Sequence, residues 1–126
     1  MKHLFLPYPL ALIAKEKGFN EPCLTSFHKN GDLAKIPVNE GEVFYMSNKE
    51  FDYLGCSGIS APLYQQIVDW FRERHKVLIE VCHSFDGGNL TYQYSVIQRK
   101  TIGSEYTSTV YYEALDKAIE EAFKLI

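Results

Sequence analysis

At 126 residues with 46% apolar content, the chain falls in the size range of one domain and can bury a core without disulfides or metal. Charged residues make up 23% and no segment is dominated by one sign, which excludes a disordered chain. The net charge of −3 is spread evenly, with six lysines against seven acids in residues 1–60 and seven Lys or Arg against nine acids in residues 61–126. Neither half carries the basic excess with which a generic nucleic-acid binder displaces phosphate counterions.

Lys2 and His3 precede an uncharged run, Leu4 to Ala14, that imitates the core of a signal peptide. Pro7 and Pro9 interrupt it and no small-x-small cleavage site follows. It is also too short to span a bilayer, so the expectation is an extended entry, a core helix and no membrane partner. Pro9 fits the first turn of that helix, which runs through Lys17 with Leu10, Ile13 and Ala14 on one stripe. Gly18-Phe19 reads as a left-handed C-cap with its hydrophobic follow-on. Cys23 to His28 is compatible with a strand, and Lys29-Asn30-Gly31-Asp32 supplies the Asn-Gly pair of a type I′ turn. Leu33 to Pro37 returns as its partner, and Val43 to Met46 extends this small sheet. Residues 1–46 thus form a helix and hairpin region, and 47–60, with Asn48, Gly55 and Gly58 and no clear period, reads as a loop. Edge strands in the N-terminal hairpin leave pairing with a second copy, a homodimer, open.

Ser60 is a good N-cap and Pro62 fits a first turn, with Leu63, Ile67, Trp70 and Phe71 on one face of a helix from Ala61 to His75. Val77, Ile79 and Val81 alternate with Leu78, Glu80 and Cys82 in a strand that Asp86-Gly87-Gly88-Asn89 turns back. Tyr92, Tyr94 and Val96 alternate with Thr91, Gln93 and Ser95 in the return strand, and Tyr106 to Val110 makes a third after a turn near Gly103. A last helix, Tyr111 to Ile126, carries Leu115, Ala118, Ile119, Ala122 and Ile126 on one stripe and the i,i+4 pairs Glu113 with Lys117 and Glu120 with Lys124 outside. The expected fold is therefore a single α+β domain. In its second part, 61–126, the order is α-β-β-β-α, with both helices on one sheet face and Phe123 meeting Trp70.

Lys15-Glu16-Lys17-Gly18-Phe19-Asn20-Glu21-Pro22-Cys23, Ala61-Pro62-Leu63-Tyr64-Gln65-Gln66 with Asp69-Trp70-Phe71-Arg72-Glu73, and Tyr111-Tyr112-Glu113-Ala114-Leu115 through Ala118-Ile119-Glu120-Glu121-Ala122 carry a likeness. Together these segments resemble a group of small uncharacterised proteins of bacteriophages and mobile elements of gut anaerobes. The resemblance spans nearly the whole chain and implies no activity. Where that group has Thr before Tyr-Tyr-Glu, which makes a capping box, Val110 stands here. The order of 61–126 also resembles the double-stranded-RNA-binding fold, whose last helix begins with a lysine cluster that grips phosphates. The matching positions here are Tyr111, Tyr112, Glu113, Ala114, Leu115, Asp116 and Lys117, and two acids with one lysine do not replace that cluster. The order supports the fold and weighs against the binding.

Asp69-Trp70-Phe71-Arg72-Glu73-Arg74-His75 holds groups a proton-transfer site uses, but on a helix they read as a solvated ion-pair face. Cys23, Cys56 and Cys82 are odd in number and form no C-x-x-C pair, which fits a reducing, cytoplasmic setting with each thiol buried as a small apolar group. No ligand spacing joins them to His28, His75 or His83, so no metal or other cofactor is expected. Cys82 and His83 are adjacent on a strand and point to opposite faces, which argues against a nucleophile pair. A small enzyme with a cleft between the halves, using Cys56 or His83, is the last alternative. Nine tyrosines and eight phenylalanines exceed what a core of this size requires. Exposed tyrosine anchors protein interfaces, so the expected interaction surface is the sheet face away from the helices, with Glu80, Thr91, Gln93, Ser95 and Thr107, and its aromatic margin of Tyr92, Tyr94, Tyr111 and Tyr112. A non-catalytic accessory domain binding a protein is the function this composition favours, with nucleic-acid binding as the alternative. Nucleic acid would require Lys2, Lys76, Arg99 and Lys100 to gather on one surface.

Overall fold

Pro9 and Gly18 punctuate the first helix as their backbone chemistry dictates. In the computed structural model, which describes residues 2–53, 58–99, 101–103 and 106–126, α1 spans Tyr8–Glu16 with proline in its first turn. Gly18 is left-handed at φ 91°, and it donates to the Lys15 carbonyl while Phe19 N–H donates to Ala14. These are the paired bonds of a Schellman cap, and the Phe19 side chain that follows the left-handed glycine is buried. The protein is mixed helix and strand, of the α+β class, with small antiparallel sheets. The chain divides into two compact units, Met1–Ile67 and Val68–Ile126.

In the first unit, β1 (Ser26–Phe27) pairs not only with a bridge at Leu33 but also with β4 (Ile59–Ser60), in the register Ser26↔Ser60 and Phe27↔Ile59. The Asn30-Gly31 turn is not type I′, because only Gly31 is left-handed, at φ 87°. Gly31 N–H donates to the His28 carbonyl, and Asn30 Oδ1 accepts from Asp32 N–H at 3.0 Å. The asparagine side chain thus caps a wider loop instead of filling a left-handed position. A type I′ turn does form at Glu40-Gly41, with φ 51° and 84°, between β2 (Val38–Asn39) and β3 (Glu42–Val43). The partner of Val43 is therefore Val38, and the strand expected over Leu33 to Pro37 reduces to the single bridge at Leu33.

The stretch 47–60, expected as a loop, contains α2 (Asn48–Tyr53) and β4. Ser47-Asn48-Lys49-Glu50 is a capping box that hydropathy period alone passes over: Glu50 Oε2 accepts from Ser47 N–H at 2.6 Å. That amide, and then the Ser47 hydroxyl, hold the Glu50 carboxyl below its ordinary range. Asn48 is 4% exposed and ties three segments together, donating from Nδ2 to the Phe19 carbonyl at 2.8 Å and accepting at Oδ1 from Ser60 N–H at 2.9 Å.

Ser60 consequently does not cap the next helix. Leu6 N–H donates to the Pro62 carbonyl, Ala61 N–H to Thr25, and Phe5 bridges Leu63, which hold 60–63 extended. The helix, α3, begins at Tyr64 and runs to Trp70, and Gln66 Oε1 reaches back to accept from Leu63 N–H at 3.0 Å. It continues as a π-helical turn, Phe71–His75, and ends where Lys76, left-handed at φ 56°, and Val77 both donate to the Phe71 carbonyl.

In the second unit, β5 (Leu78–Asp86), β6 (Asn89–Ile97) and β7 (Thr101–Gly103) form an antiparallel meander in that order. Gly87 and Gly88, at φ 56° and 86°, make the two-residue turn. The third strand starts before the expected Tyr106, with Val96↔Ile102 pairing and Gly103 inside the ladder, and Ser108 adds one bridge to Tyr92. α4 (Tyr111–Phe123) packs on β5 and β6 with Leu115, Ala118, Ile119 and Ala122 buried, and the Phe123 ring lies 5.0 Å from Phe71. Trp70 stacks edge-on against Phe71 and His75. Val110 is the N-cap and its apolar side chain makes no capping hydrogen bond, so Ser108 substitutes for it: its hydroxyl accepts from Val110 N–H at 3.0 Å and donates to Glu113 at 2.7 Å. Glu113 is thereby turned away from Lys117, which pairs with Glu120, while Lys124 pairs with Glu121. Both lysines reach i,i+3 partners, not the expected i,i+4 ones.

Candidate interaction surface

Strand alternation sorts the second unit's surface residues onto two faces. Glu80↔Ser95, Cys82↔Gln93 and Ser84↔Thr91 share the face opposite α4, and Ile79↔Val96, Val81↔Tyr94, His83↔Tyr92 and Phe85↔Leu90 share the helix side. Glu80 and Gln93 are exposed, and Gln93 Nε2 donates to Thr107 Oγ1 at 3.5 Å. That face is polar throughout its centre.

The aromatic margin separates into core and surface. Tyr94, expected on the interaction surface, is 8% exposed, because its register opposite Val81 puts it under α4, beside Tyr106. Tyr92 and Tyr112 are half-buried and Tyr111 is 42% exposed. The three rings run edge to face, Tyr92 to Tyr111 at 5.6 Å and Tyr111 to Tyr112 at 5.3 Å, both at 84°. Leu90, two residues before Tyr92, and Val110 are exposed apolar neighbours in sequence of this ladder. The structure therefore joins Tyr92, Tyr111 and Tyr112, sends Tyr94 inward, and leaves Glu80 and Gln93 on the other face.

From His83 through Leu90 the β5–β6 hairpin is exposed on both sides, with Phe85 at 74%. Sequence reasoning passed over Phe85, although a large apolar residue beside a Gly-Gly tip, where helix cover ends, is the signal that marks it. The first unit holds a second apolar area that was also missed: Val38, Phe44, Tyr45 and Tyr53 are exposed there. Beside it Leu24, Lys35, Pro37, Phe44, Met46 and Phe51 line a groove of about 200 Å³.

The candidates for chemistry are placed as follows. Arg72 is held by Asp69 at 2.7 Å and Glu73 at 3.1 Å on the helix surface, an ion-pair face. Cys23 is buried, but Cys82 is exposed, because its register opposite Gln93 puts it on the uncovered face; Cys56 lies outside the described residues. Burial pushes the Cys23 thiol up to about 12, against a smaller lowering by the Ser60 hydroxyl and with a small contribution from Glu21. Among the described residues Ser60 Oγ has no hydrogen-bond partner, so burial and not that hydroxyl governs the thiol. Among the described residues no three His, Cys, Asp or Glu side chains gather as metal ligands do. No helix of the described residues is long and apolar enough to cross a membrane.

Lys76 and Arg99 flank one end of the β5–β6 ladder, just beyond the Leu78↔Ile97 pair, while Lys100 lies outside the described residues. No protein family, curated protein or solved structure matches this chain.

Proposed function

We propose that the chain is a non-catalytic accessory domain of a phage or mobile element that binds a protein in the bacterial cytoplasm, through the Tyr92–Tyr111–Tyr112 margin. The observation that carries this reading is the ladder itself: three tyrosines in edge-to-face contact at the start of α4, one of them 42% exposed, with exposed Leu90 and Val110 beside them in sequence. Tyrosine supplies a rigid, amphipathic contact area at low entropic cost, and neighbouring rings already hold these in place. The likeness of residues 15–23, 61–73 and 111–122 to small phage and mobile-element proteins supports the setting.

The test is retention of host proteins by tagged wild-type and Tyr111→Ala chains in the presence of nuclease, with circular dichroism confirming equal folding. A single nuclease-resistant protein held near stoichiometry by the wild type and about 30-fold more weakly by Y111A is the expected result. Equal retention by both chains removes the tyrosine margin from the binding surface. Retention that nuclease abolishes replaces this reading with nucleic-acid binding.

A further inference from the structure

β5 is the free edge of the three-stranded sheet, with order β5-β6-β7. The Gly87-Gly88 turn closes on the Asp86↔Asn89 pair, so the alternation of an antiparallel ladder directs the backbone groups of Asp86, Ser84, Cys82, Glu80 and Leu78 at β6. Those of Phe85, His83, Val81 and Ile79 then point outward. The other side of the hairpin confirms this parity: Tyr92, the partner of His83, exchanges both of its backbone bonds with Ser108, away from β5. Among the described residues, no backbone bond reaches the outward groups of β5. Cys82 through Asp86 are exposed, so this part of the edge is uncovered.

We propose that β5 pairs antiparallel with β5 of a second copy about a two-fold axis at Cys82, joining two sheets into one. The argument is self-complementarity. Only registers that set outward-facing residues opposite one another satisfy the bonding parity, and of these the axis at Cys82 engages every one, Ile79 against Phe85 and Val81 against His83 of the second copy. On the opposite face it sets Glu80 against Ser84 and Leu78 against Asp86, with no like charges directly opposed. An axis at His83 places Glu80 against Asp86, and an axis at Val81 carries Phe85 past the start of the strand. Pairing at Cys82 also sets Phe85, which is 74% exposed in one copy alone, beside the second copy's Ile79, whose own side chain is already in its core, so the area gained is mainly that of Phe85. A nine-residue, mostly uncharged edge is what proteins otherwise blunt against such association.

At the axis Cys82 faces its own copy in a non-hydrogen-bonded pair, where Cα atoms approach to about 4.5 Å, within the span of a disulfide. Cys82 is a reporter of the register, not the source of the affinity. The full chain carrying Cys56→Ser, in which buried Cys23 is the only other thiol, is examined by light scattering up to about 100 μM and by diamide oxidation. A dimer that oxidises to a Cys82-linked species is expected. Ser84→Glu sets an acid against Glu80 twice per dimer and weakens it about tenfold, and Glu80→Lys combined with Ser84→Glu restores it. A chain that stays monomeric throughout overturns the proposal, as does a dimer that neither cross-links at Cys82 nor responds to S84E. Ser84 lies on the face away from Tyr111, so this outcome and that of the tyrosine test are read separately.

Discussion

Replacing Asn48 tests whether a single buried amide holds the first unit together. Asn48→Ala removes two hydrogen bonds, from Nδ2 to the Phe19 carbonyl and from Ser60 N–H to Oδ1, and strips both backbone groups of these partners next to a side chain 4% exposed. Taking a hydrogen-bond partner from a buried backbone group costs about 1–3 kcal/mol, so the loss is about 3 kcal/mol, a large fraction of the roughly 5–15 kcal/mol a domain possesses. Asn48→Asp separates the two bonds. A carboxylate still accepts from Ser60 N–H but cannot donate to the Phe19 carbonyl, and burial disfavours its charge, so its folded pKa lies above the unfolded one. Measured against the wild type, the aspartate variant is therefore least impaired below about pH 4, and its deficit grows as pH rises through that folded pKa. Urea unfolding followed by circular dichroism measures the loss, and peptide-resolved hydrogen exchange over 48–53 and 59–61 locates it. A loss under about 1 kcal/mol for N48A, or an N48D deficit relative to the wild type that is the same at pH 7 as at pH 3, refutes the argument.

Two further outcomes follow from the backbone and the core. The Cys23 thiol, held up to about 12 by burial, keeps its proton in the folded chain, so its stability contribution is complete below the ordinary thiol pKa of 9.0 and is lost as pH rises toward 12. Between those values the wild type should lose about 1.4 kcal/mol per pH unit more than Cys23→Ala, measured as the difference in their urea midpoints at pH 9 and 11; parallel behaviour contradicts it. Lys76 ends the π-helical turn with φ at 56°, a conformation in which a Cβ is strained. Lys76→Gly should stabilise by about 1 kcal/mol in spite of losing the Nζ bond to the Glu73 carbonyl, and a lowered melting temperature counts against the strain.

Local chemistry was enough wherever neighbours in sequence are neighbours in space. Pro9 and Gly18 bound α1, Gly87 and Gly88 turn β5 into β6, and the 3.6-residue stripe from Ala114 to Phe123 defines the buried side of α4. Alternation alone placed Glu80 and Gln93 on one side and Tyr92 and Tyr94 on the other. Long-range bonds decided the rest. Ser60 has the chemistry of a cap, but pairing with Ser26 and the Asn48 amide claim it for a strand. Asn30 is a local exception: it has the chemistry of a left-handed residue, but its side chain bonds Asp32, two residues on, instead. Tyr94 and Phe85 lie on the same side of one hairpin, but α4 packs over the part that holds Tyr94, and Phe85 near the turn stays in solvent. Periodicity reports which side of an element is apolar; what covers that side, and where the cover stops, is set by chain segments far away in sequence.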